Sequence, residues 1–253
     1  MNIYERKHYV VGSEGNAGSI VKRFLDLVGV DMICIDEKLN NYLPDEVEPG
    51  SFLYIETPPK SHYTFIQYGF ENWMNIFVEK PLLYSLKDNP LFPTYFPPNT
   101  HLFCNFNMEV LDLPTQEMTK AVRYCAADKP LFIAQGERGV ILDLMPHLLS
   151  IFPLENLSSL HPLKVQTKGK DGTDVFAQIL FNDGLVMEVG YNIKNLILLE
   201  YKDGSSVKLD WLPGWTWDVN IRKFWQGETN LHKALEISRK IETMYELRES
   251  FAC

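Results

Sequence analysis

The chain has 253 residues, 45% of them hydrophobic and 23% charged, the balance of a soluble globular protein with room for two modest domains. A formal net charge of −9, with the acids scattered rather than massed in a tail, argues against nucleic acid or an anionic membrane as a partner. No run approaches the ~18 apolar residues of a membrane span, the polar start lacks the apolar core of a signal peptide, and Cys34, Cys104, Cys125 and Cys253 form no C-x-x-C pair, so a reducing cytoplasm without disulfide framework or metal site is expected.

Tyr9-Val10-Val11 is a short apolar run that ends at Gly12. Beyond the glycines, apolar residues recur at 20, 21, 24, 25 and 28, the spacing of a helix, which Gly29 stops. Asp31 to Ile35 predicts a second buried strand ending at Asp36. Strand, glycine turn, helix, strand, acid is the order of a βαβ unit. Ser51–Thr57 is the next strand, a helix follows from about Lys60 to Trp73, and Ile76-Phe77-Val78 is another strand closed by Pro81. Only about fifteen residues separate Asp36 from Ser51, too few for a further helix and strand, so a sheet of four or five strands is expected. The prolines between Pro90 and Pro98 place a domain boundary there, giving a dinucleotide-binding domain over 1–98 and an α+β domain over 99–253.

In the second domain the spacing predicts a strand at Leu102–Asn105, a helix near Thr115–Ala127 and an apolar stretch at Val140–Phe152, where Pro146 marks a helix start. Five strand-like segments follow, Leu163–Thr167, Val175–Phe181, Leu185–Tyr191, Leu196–Tyr201 and Val207–Trp211. Asn182-Asp183-Gly184 and Lys202-Asp203-Gly204 are hairpin turns, so the sheet is expected to be antiparallel. An amphipathic helix from about Thr229 to Glu249 closes the chain, and Trp211, Trp215 and Trp217 line a pocket or fill the core.

The first chemical signal is Gly12-Ser13-Glu14-Gly15-Asn16-Ala17-Gly18. A diphosphate needs close backbone approach and free N–H groups at a helix N-terminus, which glycines permit. The spacing is G-x-x-G-x-x-G rather than G-x-G-x-x-G, and Glu14 has to point away from a phosphate. Asp36, after the second strand, either accepts hydrogen bonds from an adenosine ribose, favouring NAD over NADP, or caps the strand end. Thr57, Pro58 and His62 follow the third strand and Glu79-Lys80-Pro81 the fourth, at the carboxyl edge where open α/β sheets bind ligands. A lysine fixed there donates to a substrate oxygen, although a snorkelling surface lysine is the commoner fate of a single lysine. Asp143 and His147, four residues apart in an apolar sequence, share one helical face. They form either a proton-transfer pair or a structural cap.

Together the glycine loop, Thr57-Pro58-Pro59-x-x-His62, Glu79-Lys80-Pro81 and Gly139-x-x-x-Asp143-x-x-x-His147 resemble the glucose–fructose oxidoreductase / inositol dehydrogenase (Gfo/Idh/MocA) family. The resemblance implies an N-terminal Rossmann-type parallel sheet and a C-terminal α+β domain on an open antiparallel sheet, through which such chains often form homo-oligomers. It implies NAD or NADP as cofactor, a hydroxylated small-molecule substrate such as a sugar or cyclitol, and catalytic positions at Lys80, Asp143 and His147. Gly12, Gly15, Asn16, Ala17, Gly18, Asp36, Thr57, Pro58, His62, Glu79 and Lys80 would line the cofactor. The chain departs from the family pattern at Glu14, at Met145, where glycine is common, and in lacking an arginine in Phe106–Glu109. A non-catalytic nucleotide sensor and a redox-assisted lyase, epimerase or glycosidase are the alternatives on the same scaffold.

Overall fold

The computed structural model describes residues 3–39, 41–89, 92, 96–126, 139–170, 173–192, 194–210 and 214–250. In chain order the strands and α-helices are β1 (His8–Val11), α1 (Asn16–Leu27), β2 (Met32–Ile35), β3 (Phe52–Ile55), α2 (Pro59–Glu71), β4 (Asn75–Glu79), β5 (Leu102–Asn105), β6 (Met118–Ala126), α3 (Gly139–Leu149), α4 (Leu154–Ser159), β7 (Pro162–Lys170), β8 (Thr173–Phe181), β9 (Val186–Asn192), β10 (Leu196–Tyr201), β11 (Ser206–Leu209), α5 (Trp215–Trp225), α6 (Leu231–Glu246) and β12 (Arg248–Ser250). They form two compact units, one of Met1–Asn105 with Gly214–Ala234, the other of Phe106–Pro213 with Leu235–Cys253.

The first unit is a five-stranded parallel sheet in the order β2-β1-β3-β4-β5, as expected of a Rossmann-type domain. Its strands are apolar on both faces because helices cover both. On one face α2 sets Gly69 against Leu53 and Ile76. On the other, Phe52, Tyr54, Phe77 and Phe103 form a core with Phe24 of α1 and Trp217, Ile221 and Phe224 of α5. The Phe224 ring stands 5.5 to 5.8 Å from those of Phe52, Tyr54 and Phe77.

Two expectations change here. Leu102–Asn105 pairs with β4 in the register Ile76↔Leu102 through Glu79↔Asn105, so it completes the first sheet instead of opening a second domain at residue 99. The chain also returns to this unit over 214–234. The side-chain amide of Asn230 explains how: it accepts the Cys104 N–H at 2.7 Å and donates to the Cys104 carbonyl at 2.8 Å, standing in for a sixth strand on the β5 edge. Of the tryptophans, Trp217 is in the core, Trp215 is half-exposed and Trp211 lies outside the described residues.

The second unit is a seven-stranded sheet in the order β11-β10-β6-β9-β8-β7-β12. It is mixed rather than purely antiparallel, because β6 runs parallel to β9 and β12 parallel to β7. The two turns at 182–184 and 202–204 close hairpins as expected. The helix expected near 115–127 is instead the strand β6. Thr119, Val122 and Tyr124 favour a strand, and Ala121 and Arg123 alternate onto the buried face while Lys120 and Tyr124 do not. Pro146 lies inside α3, not at its start. Helix α3, buried along nearly its whole length, covers one face of this sheet, on which Val165, Ala177, Ile179, Met187, Val189, Ile197 and Leu199 are fully buried. No helix among the described residues is long and apolar enough to cross a membrane.

A buried chain of hydrogen bonds sits at the foot of the first sheet. Trp225 Nε1 donates to the Tyr54 hydroxyl at 2.8 Å, and that hydroxyl lies 3.0 Å from His8 Nδ1, whose ring reaches the Ile3 carbonyl through Nε2 at 2.9 Å. Burial keeps the His8 ring neutral, so Tyr54 donates to Nδ1 and Nε2–H donates to Ile3. Tyr54→Phe leaves Trp225 Nε1 and His8 Nδ1 without a partner and is expected to destabilise the protein by about 1–3 kcal/mol, read as a lower midpoint in urea unfolding followed by tryptophan fluorescence.

Candidate active site

The order of the first sheet reverses direction between β1 and β3, and the glycine turn sits at that switch point, the usual ligand crevice of open α/β sheets. Gly12 has φ +78°, and a Cβ there would lie 2.6 Å from the Glu56 carbonyl oxygen. A Cβ at Gly18 would overlap the Gly12 carbonyl. These two glycines let α1 start hard against both strands. The first helical hydrogen bond is Ser19 N–H to Gly15 O at 2.9 Å, and no side chain caps the helix. The amides of Asn16, Ala17 and Gly18 therefore end the helix without an intrahelical acceptor, the arrangement that holds a diphosphate.

Two acids flank the turn. Glu14 does point away: its carboxylate pairs with Lys22 of α1 at 2.8 Å. Asp36 accepts the Glu14 N–H on one oxygen and the Lys38 N–H on the other, both at 3.0 Å. It thus acts as the strand-end cap, and a carboxylate retains capacity for a ribose hydroxyl beyond those two bonds.

The Thr-Pro-Pro and Glu-Lys-Pro segments are brought together by His62. This fully buried ring lies with Nδ1 2.8 Å from the Pro81 carbonyl and Nε2 2.8 Å from the Thr57 carbonyl. Burial, the largest influence, lowers its pKa and Lys80 adds to that, while the backbone carbonyls raise it; the neutral ring donates to one of the two carbonyls and rests against the other. Expected beside a cofactor, His62 instead commits both ring nitrogens to backbone and fixes the two loops that carry Thr57 and Lys80. Pro58 is exposed at the α2 N-terminus, Lys80 is half-buried, and the Lys80–Pro81 peptide is cis. Glu79 accepts the Asn105 amide at 2.9 Å, and Asn220 of α5 donates to Asn105 Oδ1 at 2.7 Å.

Glu56 escaped the sequence reading. It follows β3 and is 6% exposed, and both carboxyl oxygens are buried without a hydrogen-bond partner. Burial pushes its pKa well above the usual carboxylate range, and neighbouring Glu79 pushes it further. The available signal was the side-chain alternation Phe52, Tyr54, Glu56, which puts an acid in an apolar row.

In the second unit Asp143 and His147 share α3, as their spacing implied; His147 is buried and Asp143 half-buried. Asp143 Oδ2 accepts the Tyr191 hydroxyl at 2.9 Å. Burial and then Asp143 push the Tyr191 phenol far up, so it remains a hydrogen-bond donor at every ordinary pH. Arg123 of β6 is buried too, and although burial lowers its pKa it stays cationic and interacts electrostatically with Asp143. Arg123 was missed because 115–127 reads as a helix, which hides the alternation that carries it inward, and Tyr191 because it lies 48 positions from the aspartate it binds. Among the described residues no cluster of His, Cys, Asp or Glu suits a metal ion.

No protein-family model and no curated protein matches the sequence. Solved structures do match its fold. GenD2 from gentamicin A biosynthesis, solved with NAD, superposes with a TM-score of 0.68 at 14% identity over 97% of this chain and 95% of that one. The WlbA (WbpB) dehydrogenase from Thermus thermophilus, solved with NAD and alpha-ketoglutarate, gives 0.67 at 14% identity over 98% and 97%. KijD10, a 3-ketoreductase from Actinomadura kijaniata solved with NADP and TDP-benzene, gives 0.60 at 12% identity over 97% and 98%.

The state of Glu56 has a measurable consequence. An unfolded glutamate loses its proton near pH ~4.3, whereas folded Glu56 keeps it to a higher pH. Between those values unfolding releases a proton, so this group makes stability fall as pH rises. Glu56→Gln removes that slope and is expected to stabilise the protein progressively above about pH 5, measured by urea unfolding across the neutral range.

Proposed function

We propose that this chain is an NAD(P)-dependent oxidoreductase that moves a hydride to or from a carbon of a sugar, cyclitol or related hydroxylated metabolite. The observation that carries this is the switch point: an uncapped helix N-terminus behind a glycine turn, with Asp36 at the end of the neighbouring strand. The fold shared with GenD2, WlbA and KijD10, solved with NAD or NADP, supports it.

Gly12, Gly15, Asn16, Ala17 and Gly18 would hold the diphosphate through backbone amides, and Asp36 the adenosine ribose, where its charge disfavours a 2′-phosphate and so favours NAD. Thr57, Pro58, Glu79 and Lys80 would line the rest of the nucleotide's path, with His62 acting through them. The nicotinamide supplies the hydride acceptor or donor. Lys80 would donate a hydrogen bond to the reacting oxygen and stabilise the negative charge that develops there. His147 would take up or return the hydroxyl proton, and Asp143, anchored by Tyr191 and Arg123, would orient the imidazole. The first unit is thus the nucleotide-binding part, and the second supplies the proton-transfer pair.

The second unit's sheet also supports self-association. The face opposite α3 carries Val122, Tyr124, Phe176, Val186, Leu196 and Leu198 around a polar knot in which Lys120, Tyr124 and Gln178 converge on Glu188. A second copy covering that face would make a homo-oligomer.

Three measurements test these assignments. Titration with NADH and NADPH, followed by nucleotide fluorescence, is expected to show saturable binding; failure of both at millimolar concentration overturns the enzyme reading. Lys80→Ala is expected to cut turnover of a nucleotide-linked sugar or cyclitol about a hundredfold or more while NADH still binds. Binding without turnover of any such substrate supports the sensor, and tightly retained nucleotide without net NADH formation supports the lyase or epimerase. Leu198→Glu is expected to lower the oligomeric state in analytical ultracentrifugation, and an unchanged sedimentation coefficient rules that face out.

A further inference from the structure

Resting on the nucleotide reading above, we propose that Glu56 is a further residue of the nucleotide site, a neutral acid beneath the glycine turn that ties diphosphate binding to one proton.

Its position comes first. Glu56 stands opposite Gly12 at the switch point, because β1 and β3 pair in the register Val11↔Ile55 and the Glu56 N–H donates to the Val11 carbonyl at 2.9 Å. Its own carbonyl presses on Gly12 so closely that only glycine fits there. Alternation along the strand turns the carboxyl to the face of Phe52 and Tyr54, the face that α1 covers, at the end where α1 begins.

Its surroundings come second. Both carboxyl oxygens are buried without a hydrogen-bond partner. The charged neighbour acting on Glu56 is Glu79 of β4, an acid like itself. Tyr54, two residues back on β3, is occupied by His8 and Trp225. From α5 the facing polar group is the uncharged Asn220, engaged with Asn105 of β5. Near the start of α1, Glu14 is neutralised by Lys22, and Asp36 after β2 is engaged by backbone amides. Lys80, after Glu79 at the same edge, is half-buried and acts on His62, whereas the charge acting on Glu56 is that of Glu79, so an ionised Glu56 meets like charge there.

A diphosphate laid on the amides of residues 16 to 18 adds negative charge to the same end of the sheet, in a medium of low dielectric. It disfavours ionised Glu56 further, so the complex keeps the proton, or takes one from water where the free protein has released it. Glutamine has the same shape and no charge, so it imitates the bound state at every pH.

The experiment is NADH binding by fluorescence from about pH 6 to about pH 9 on the wild-type chain, Glu56→Gln and Glu79→Gln, alongside infrared spectra of the free proteins. Wild-type affinity is expected to weaken by up to about tenfold per pH unit above the midpoint of Glu56, and Glu56→Gln to bind with a flat profile. Glu79→Gln, which removes the like charge, is expected to show an earlier onset of weakening, since Glu56 then releases its proton at lower pH. The wild-type infrared spectrum at neutral pH is expected to show the carbonyl stretch of a protonated carboxyl that Glu56→Gln lacks. Parallel pH profiles in wild type and Glu56→Gln overturn the coupling, and so does the absence of that infrared band. If neither NADH nor NADPH binds at any pH, the nucleotide reading falls and takes the coupling with it, and the infrared band then reports on Glu56 alone.

Discussion

At Gly12 the end of β1, the start of α1 and the end of β3 meet in a space that holds no side chain. The Glu56 carbonyl presses on its Cα from one side, and its own carbonyl presses on Gly18. A methyl group at either glycine would force the helix off the sheet, and the other features of the crevice follow from that contact. Because α1 begins so close to the sheet, its first amides stand at the carboxyl edge rather than out in solvent. Because the Glu14 N–H is turned toward β2, Asp36 can cap it. Because β3 runs directly under the turn, the residue after it is sealed from water. The placement of the helix amides and the buried acid are therefore consequences of one steric constraint.

The two units place their candidate polar residues by the same rule: each is held by a more deeply buried side chain. In the first, His62 is fully committed to two carbonyls, and that commitment fixes the loops of Thr57 and Lys80. In the second, the Tyr191 hydroxyl binds Asp143 and the buried Arg123 guanidinium acts on it electrostatically, which limits its freedom. The supporting residues come from helix α2 in the first unit and from strands β6 and β9 in the second. A site held in this way keeps its geometry without relying on loop order.

Much of the first unit was legible because local signals agree there. The period of 20, 21, 24, 25 and 28, the glycines on either side and the acid after Ile35 all point to one βαβ unit. The second unit was harder. Met118–Ala126 carries Lys120 and Arg123 inside a run without turn residues, and a single buried arginine is enough to make a strand look like the polar face of a helix. Pro146 looks like a helix start because the interior of a helix tolerates proline poorly, yet α3 accommodates it. Among the candidate residues, Lys80, Asp143 and His147 stand out by type and spacing, whereas their supports do not. Tyr191 is 48 positions from the aspartate it binds, and such a partnership leaves no trace in one sequence. Glu56 was overlooked for a different reason: ahead of Thr-Pro-Pro it reads as the first polar residue of a loop, and only the sheet register places it indoors.

The crevice beside the glycine turn holds three acids, and they are quieted in three ways. Glu14 is exposed enough to swing onto Lys22 and is neutralised by a countercharge. Asp36 accepts two backbone amides that themselves need acceptors, one on each oxygen. Glu56 has neither lysine nor amide within reach, and the proton is what remains to it. The choice follows burial: a countercharge suits the surface, amides suit the rim, and below the rim desolvation outweighs both.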